Sequence, residues 1–189
     1  MNTPDKKPNR HDNKPDIDTK ISPACSPLLN PLPLAGEDTN ESLCKPQFKL
    51  SLTVQYVTPA LPTRQQWRRW IKVALQRDIS MTLRIVDEAE GRELNNAYRA
   101  RNYATNVLTF VYDDTEPLSG DVVICAPVVE REAAEQNKDL LSHYAHLALH
   151  AALHLQGYDH ETEGEASEME ALETALMLKM RYADPYLET

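Results

Sequence analysis

The segment "HAALHLQGYDH", residues 150–160, carries three histidines at a spacing that suits one metal ion. On a helix, residues four apart lie one above the other, so His150 and His154 can direct their imidazoles at a common point. Gly157 permits the chain to leave the helix and turn back, and His160 can then supply a third nitrogen. Three protein ligands with an open position are typical of a catalytic zinc site. The spacing therefore predicts a centre for Zn²⁺, or another divalent ion, bound by these three side chains.

The alternative is that these are ordinary core or surface histidines, which is the default for any one of them alone. Their number and placement count against it, because five of the 6 histidines lie between residues 143 and 160. His143 and His146 fit the ligand geometry less well, since a fourth protein ligand would close the site. We therefore expect these two to support the ligands from behind or to lie at the surface.

The residue after the first histidine limits what a metal could do here. The spacing H-x-x-x-H-x-x-G-x-x-H also occurs in metzincin zinc proteases, where a glutamate general base directly follows the first histidine. In this chain that position is Ala151, which cannot accept a proton. Peptide hydrolysis would need a carboxylate from elsewhere, such as the acidic C-terminal helix. Phosphodiester cleavage suits the site better, because the metal and an arginine can share the developing charge.

Charge and cysteine content exclude several classes of protein. A formal net charge of -9 excludes coating of nucleic acid by bulk attraction, which needs a basic surface. Acidic residues concentrate in "DHETEGEASEMEALE" and basic residues between positions 64 and 101, so a local basic patch can still form. Cys25, Cys44 and Cys125 are widely spaced and match neither a disulfide framework nor a cysteine metal site, so we expect reduced thiols.

The chain divides into a polar N-terminal segment and one domain. Residues 1–47 are rich in proline and polar residues and lack periodicity, so we expect a disordered tail. Residues 48–189 are long enough for a single core. No apolar run approaches the roughly 20 residues of a membrane span, and the N-terminus lacks the apolar centre of a signal peptide. We therefore expect a soluble, cytoplasmic protein that does not contact a membrane.

Hydrophobic periodicity predicts the elements that must position the histidines. Alternation with a period of two indicates strands in "FKLSLTVQYV" and "SMTLRIV", and the β-rich runs "NVLTFVY" and "DVVIC" indicate two more. Start and stop signals indicate five helices, which begin near Thr63, Asp87, Pro127, Asp139 or Ser142, and Glu163. Asp87 and Glu90 have the spacing of a capping box. The pattern predicts an α+β domain with about five helices on a single mixed four-stranded sheet.

The histidine segment resembles the signature of the YbeY family of single-strand-specific, metal-dependent endoribonucleases, H-G-x-L-H-L-x-G-Y-D-H. Only Ala151 departs from it, in place of glycine. The resemblance extends through "LNNAYRARNYATNVLTF" and "GDVVICAPVVEREAAEQ", and onward from "EASEMEALE" to "YADPY". In these segments Asn102 replaces an acid of the family pattern, and Thr109 replaces a serine while keeping its hydroxyl.

The resemblance implies a role for each matching residue. It implies that His150, His154 and His160 bind the metal, usually zinc, and that Arg99 is the functionally critical cation. A guanidinium at the predicted end of a helix can clamp a phosphate bidentately. Arg101 stands where the family often has lysine, and we expect it to add an RNA contact.

The implied function is cleavage of single-stranded RNA in maturation of the 3′ end of small-subunit (16S) rRNA and in ribosome quality control. Ribosomal RNA and the ribosome or its proteins are then the partners. Two alternatives stay open. One is a non-catalytic, ribosome-associated RNA-binding module whose metal only fixes the helix to the turn, and the other is a zinc metalloprotease-like hydrolase.

Overall fold

The computed structural model describes residues 48–57 and 62–187. The predicted N-terminal tail, residues 1–47, lies outside the described residues and stays a prediction. The elements follow in the order β1 (Leu50–Tyr56), α1 (Arg64–Val73), β2 (Ile79–Val86), α2 (Glu88–Arg99), β3 (Val107–Asp113), β4 (Leu118–Cys125), α3 (Ala126–Glu135), α4 (Leu140–Leu155) and α5 (Glu163–Lys179).

The four strands form one mixed sheet in the order β1-β2-β4-β3. β1, β2 and β4 run parallel, and β3 pairs antiparallel with β4 at the edge. Parallel neighbours need a crossover, which α1 supplies between β1 and β2, whereas a short turn joins β3 to β4. The predicted α+β domain, with five helices on a single mixed four-stranded sheet, is confirmed.

Helix α4 lies at the centre of the core. Every side chain from His143 to Leu155 is buried, and α1, α3, α5 and the edge strand β3 all pack against this helix. A helix that is apolar on every side has no face to present to water, so it is surrounded by other elements. Trp67 of α1 contacts both Trp70 and Tyr144 edge to face, at centroid distances of 5.3 and 5.6 Å. The tryptophans are therefore core residues.

The other face of the sheet is covered by α2. Leu94 of this helix packs against a cluster that includes Leu108 of β3 and Val123 and Cys125 of β4. This second, smaller cluster separates α2 from the main core around α4. The loop that leaves α2 thus starts on one side of the sheet and leads into β3, which packs on α4 on the other side.

Only one of the two hydrogen bonds of the predicted capping box of α2 forms. The Asp87 carboxylate accepts a hydrogen bond from the Glu90 backbone N–H at 2.9 Å, as expected of an N-cap. The Glu90 carboxylate does not return to the backbone of Asp87, because it pairs with the Arg84 guanidinium of β2 at 2.7 Å. A tertiary ion pair has here displaced the local hydrogen bond.

The start and end of α4 set the position of the histidines along it. Asp139, not Ser142, is the N-cap, and its carboxylate accepts from the Ser142 N–H at 2.8 Å.

The bounds of two other helices are also defined. α3 begins at Ala126, so Pro127 is its second residue and not its first. α5 begins at Glu163, as predicted, and ends at Lys179. Within the part of the chain that the structure describes, no helix is both long and apolar enough to cross a membrane.

Candidate metal centre

Three histidine side chains meet at the C-terminal end of α4. One ring nitrogen from each of His150, His154 and His160 lies within 4.8 Å of the other two. The Nε2 atoms of His150 and His154, one helical turn apart, are separated by 3.0 Å. Zinc–nitrogen distances of about 2.0–2.1 Å in a tetrahedral site set ligand nitrogens about 3.3 Å apart. The spacing is therefore close to what a zinc ion needs.

Gly157 makes the turn that brings in the third histidine. Its φ is +98°, in the left-handed region where a side chain is strained. A Cβ added at this position would find no atom within 4 Å, so the backbone conformation alone requires glycine. The N–H of Tyr158 then donates to the Leu153 carbonyl at 3.2 Å, which closes the helix end. The chain turns back, and His160 lies beside the two helical histidines.

Hydrogen bonds on the far side of two rings fix which nitrogens face inward. Nδ1 of His154 donates to the Tyr158 carbonyl at 2.9 Å, and Nδ1 of His150 donates to the Glu173 carboxylate at 2.8 Å. A carbonyl and a carboxylate only accept, so both Nδ1 atoms carry protons, and in the neutral ring each Nε2 atom then presents a lone pair. Two lone pairs facing each other at 3.0 Å repel unless a cation lies between them. The donor set therefore fits a divalent metal.

The protonation of the histidines also suits metal binding. Burial, followed by the neighbouring His150 and His160, lowers the pKa of His154 well below its ordinary value. Burial and His150 likewise lower the pKa of His160. Imidazole binds a metal only in its neutral form. Both rings are thus held in the form that can coordinate.

Glu173 of α5 is a supporting residue that the sequence reasoning missed. It is fully buried, and its second oxygen contacts Nε2 of His146 at 3.0 Å and accepts from the Tyr186 hydroxyl. Burial alone would raise the pKa of this carboxyl, but the imidazoles of His150 and His146 outweigh it and lower the pKa. A signal existed, because Glu173 is an acid four residues from both Met169 and Met177 on the apolar stripe of α5.

The position of Glu173 also tests the idea that an acid of α5 replaces the missing protease base. Glu173 contacts Nδ1 of His150, on the side of the ring that faces away from the other ligands. Both of its oxygens are engaged. It therefore orients a ligand and cannot supply the base that Ala151 lacks. Ala151 itself is buried in the main core.

His143 and His146 are both buried and lie outside the three-nitrogen cluster. His146 shares Glu173 with the first ligand. His143 contacts the Glu132 carboxylate of α3 through Nε2 at 3.0 Å, and the same oxygen accepts from Asn106 Nδ2 at 3.0 Å. These hydrogen bonds connect α3 and the residue before β3 to α4. His143 therefore stabilises the packing of α4 and does not contact the three ligands.

The chain matches the family model of "Endoribonuclease YbeY" over residues 55–181. It belongs to the YbeY family. A YbeY relative from Aromatoleum aromaticum is 55% identical over 143 residues, which cover 73% of this chain and 93% of the relative. One from Nitrosospira multiformis is 50% identical over 155 residues, covering 73% and 82%. The solution structure of TM1509 from Thermotoga maritima is 22% identical, covers 71% of this chain and 99% of its own, and has a TM-score of 0.47.

The two arginines that the YbeY pattern singles out flank the end of α2. Arg99 is its last residue and is half-buried, and burial together with neighbouring Arg101 lowers the pKa of its guanidinium. Ala100 adopts a left-handed conformation, with φ of 56°, and turns the chain between them. Arg101 is exposed and donates from Nη1 to the Tyr103 hydroxyl at 3.2 Å. Arg99 thus ends α2, and Arg101 lies on the connection from α2 to β3, the strand that packs on α4.

Proposed function

We propose that this chain is a single-strand-specific, metal-dependent endoribonuclease that acts in maturation of the 3′ end of 16S rRNA and in ribosome quality control. The observation that carries the proposal is the three-histidine site with inward-facing lone pairs, in a chain that belongs to the YbeY family. The relatives from Aromatoleum aromaticum and Nitrosospira multiformis both carry the name Endoribonuclease YbeY.

Zinc is the cation that we propose for this site. All three donors are imidazole nitrogens, which suit zinc and its neighbours better than magnesium or calcium. A divalent cation held there acts as a Lewis acid and lowers the pKa of water. His150, His154 and His160 hold the ion, and Glu173 fixes the first ring. In this proposal the site cleaves a phosphodiester with little help from a general base, or with a base supplied by a residue other than Ala151.

Arg99 is the group that we propose for phosphate. A guanidinium keeps its charge at neutral pH even when burial lowers its pKa, and its planar donors match two phosphate oxygens. Partial burial strengthens its attraction for an anion, because water screens the charge less. Arg99 would orient the phosphate and offset the charge that develops during cleavage. Arg101 is exposed and lies two residues after Arg99. It would contact the neighbouring phosphate of the RNA backbone.

The proposed RNA substrate is consistent with the charge distribution of the chain. A chain with net charge -9 binds RNA through a local patch, which suits an unpaired strand laid along a few cations. The rRNA precursor, carried on the ribosome or its proteins in the cytoplasm, is the substrate that we propose.

The test compares cleavage by purified protein loaded with zinc. Wild type should cleave single-stranded RNA and leave a duplex of the same sequence and an unstructured peptide intact. His154→Ala and Arg99→Ala should each lose most activity, whereas Arg69→Ala, which removes an exposed guanidinium from α1, should keep it. Equal cleavage by wild type and Arg99→Ala would indicate a contaminating nuclease and overturn the mechanism. Normal rRNA processing in cells by folded His154→Ala would instead support the non-catalytic module.

A further inference from the structure

A second concave site lies away from the histidines, between α2, the loop that follows it and α3. Its volume is about 420 Å³. Binding sites for small molecules span roughly 300–1,000 Å³, so the pocket is large enough for a ligand. The first turn of α2, Arg92, residues 102–104 and Arg131 line it. None of these side chains belongs to the metal centre.

Arg92 supplies an uncompensated positive charge to this pocket. Its Nε donates to the Asn102 side-chain oxygen at 2.8 Å, and that partner is a neutral amide. Within residues 48–57 and 62–187, no carboxylate pairs with this guanidinium. Asn102 stands where the YbeY pattern has an acid, so the charge that a carboxylate would cancel is retained in this chain. The remaining guanidinium donors are exposed to an incoming anion.

Two other arginines add to the positive charge around the pocket. Arg131 pairs with Glu88 at 3.5 Å, and both side chains are about half exposed, at 48% and 56%. Such an exposed and distant pair contributes little and can rearrange. Arg101 lies next to the pocket through its hydrogen bond to Tyr103. Three guanidinium groups thus surround one acid, in a chain that is acidic overall.

Tyr103 provides an aromatic surface beside these cations. Its side chain lines the pocket and is 41% exposed. Aromatic rings at the surface of RNA-binding proteins stack on unpaired bases, and this contact tolerates any base because every base has a π-face. A ring next to guanidinium groups matches the two parts of a nucleotide, its base and its phosphate.

The pocket is fixed relative to the metal centre. Its loop begins directly after Arg99 and ends at Asn106, which donates to Glu132 of α3. Glu132 also contacts His143 of α4, the helix that carries two of the metal ligands. Arg131 precedes Glu132 in the same helix, so the pocket wall is tied to α4 through a buried network.

We propose that this pocket binds one nucleotide of the single-stranded RNA substrate, with its phosphate on Arg92 and Arg131 and its base on Tyr103. The proposal rests on the proposed function, because it assigns a further part of the same RNA strand to a site on the protein.

Asn102→Asp tests this proposal with a minimal change of shape. The new carboxylate can accept the same hydrogen bond from Arg92, so the fold is preserved while the positive charge is cancelled. Gln55→Glu is the control, because Gln55 also accepts from an arginine, Arg84, at 3.0 Å but lies outside the pocket. Binding of a fluorescein-labelled single-stranded RNA is followed by anisotropy over a range of salt concentrations, and cleavage is assayed separately.

Asn102→Asp should raise the Kd several-fold and reduce the slope of log Kd against log salt by about 0.7, the loss of one phosphate contact. Gln55→Glu should leave both unchanged. Equal binding by the two variants would overturn the pocket proposal and leave cleavage untouched. RNA binding that is sensitive to Asn102→Asp, without any cleavage, would support the pocket while removing the proposed function. A wild type that binds no RNA would overturn both. Arg92→Gln should reproduce the effect of Asn102→Asp.

Discussion

The Glu173 carboxylate of α5 lies 2.8 Å from Nδ1 of His150, so a residue far along the chain sets the orientation of the first metal ligand. The contact fixes the tautomer of the ring and makes its Nε2 a better donor to a cation. The same carboxylate holds His146 and Tyr186, so three rings depend on one buried acid. The metal centre is therefore supported by α5 as well as by α4.

Replacing Glu173 by glutamine should weaken metal binding. The amide keeps the shape of the side chain but removes the charge that favours the Nδ1 proton of His150, and such changes typically cost about 10–100-fold in metal affinity. Competition with a chromophoric chelator measures the zinc Kd directly, independently of RNA cleavage. Glu168→Gln, an exposed position on the same helix, is the control and should bind zinc as wild type does. Equal affinity in both variants would contradict the positioning role.

Replacing Gly157 by alanine should destabilise the turn and with it the third ligand. The left-handed φ costs an alanine about 1–2 kcal/mol, although the added methyl group meets no neighbour. Urea unfolding should show this loss, and the zinc affinity should fall because His160 is displaced. Gly164→Ala is the matched control, since it also has open space but lies inside α5, where alanine is preferred. Gly164→Ala should be as stable as wild type or more so.

Changing Ala151 to glycine should lower stability without abolishing activity. Ala151 is buried inside α4, and glycine in a helix interior costs about 1 kcal/mol relative to alanine. The substitution restores the residue of the YbeY pattern and leaves the three ligand nitrogens in place. The midpoint of urea denaturation should fall, and the kcat of RNA cleavage should stay close to that of wild type. A large rise in kcat would show that the alanine methyl group restricts the site.

The Cys125 thiol should be inert in the folded protein. Burial raises its pKa to about 11, and the thiolate, which is the reactive form, is therefore scarce at pH 8. In a Cys25→Ser, Cys44→Ser variant, iodoacetamide should label the unfolded chain quickly and the folded chain very slowly. The folded state holds the proton more tightly, so this group's contribution to stability is present below the unfolded thiol's pKa of about 8.5 and is lost as pH rises towards 11. Fast labelling of folded protein at pH 8 would contradict the burial.

The features that could be predicted from sequence are those that depend on near neighbours in the chain. His150 and His154 are four residues apart on one helix, and Gly157 lies just beyond it, so periodicity and turn chemistry were enough to bring them together. The first two strands could also be predicted, because alternation of apolar and polar residues with a period of two is typical of a half-buried strand.

The features that sequence did not reveal depend on partners that are distant in the chain. Glu90 has the spacing of a capping box, but its carboxylate pairs with Arg84 of a neighbouring strand. Glu173 reaches His150 only because α5 packs against α4. No local pattern reports which acid a folded chain brings to a given ring or guanidinium group.

The three metal ligands differ in how firmly the fold holds them, because two lie on the buried helix α4 and the third lies on the turn that follows it. His150 and His154 lie on the most enclosed helix of the domain, so their positions are tied to the cooperative unfolding of the whole core. His160 follows the turn at Gly157 and is only partly buried. Loss of the ion should therefore release the segment around His160 first, while hydrogen exchange in α4 stays as slow as global unfolding. Metal binding would therefore order only the short segment that carries His160, because folding of the core already places His150 and His154.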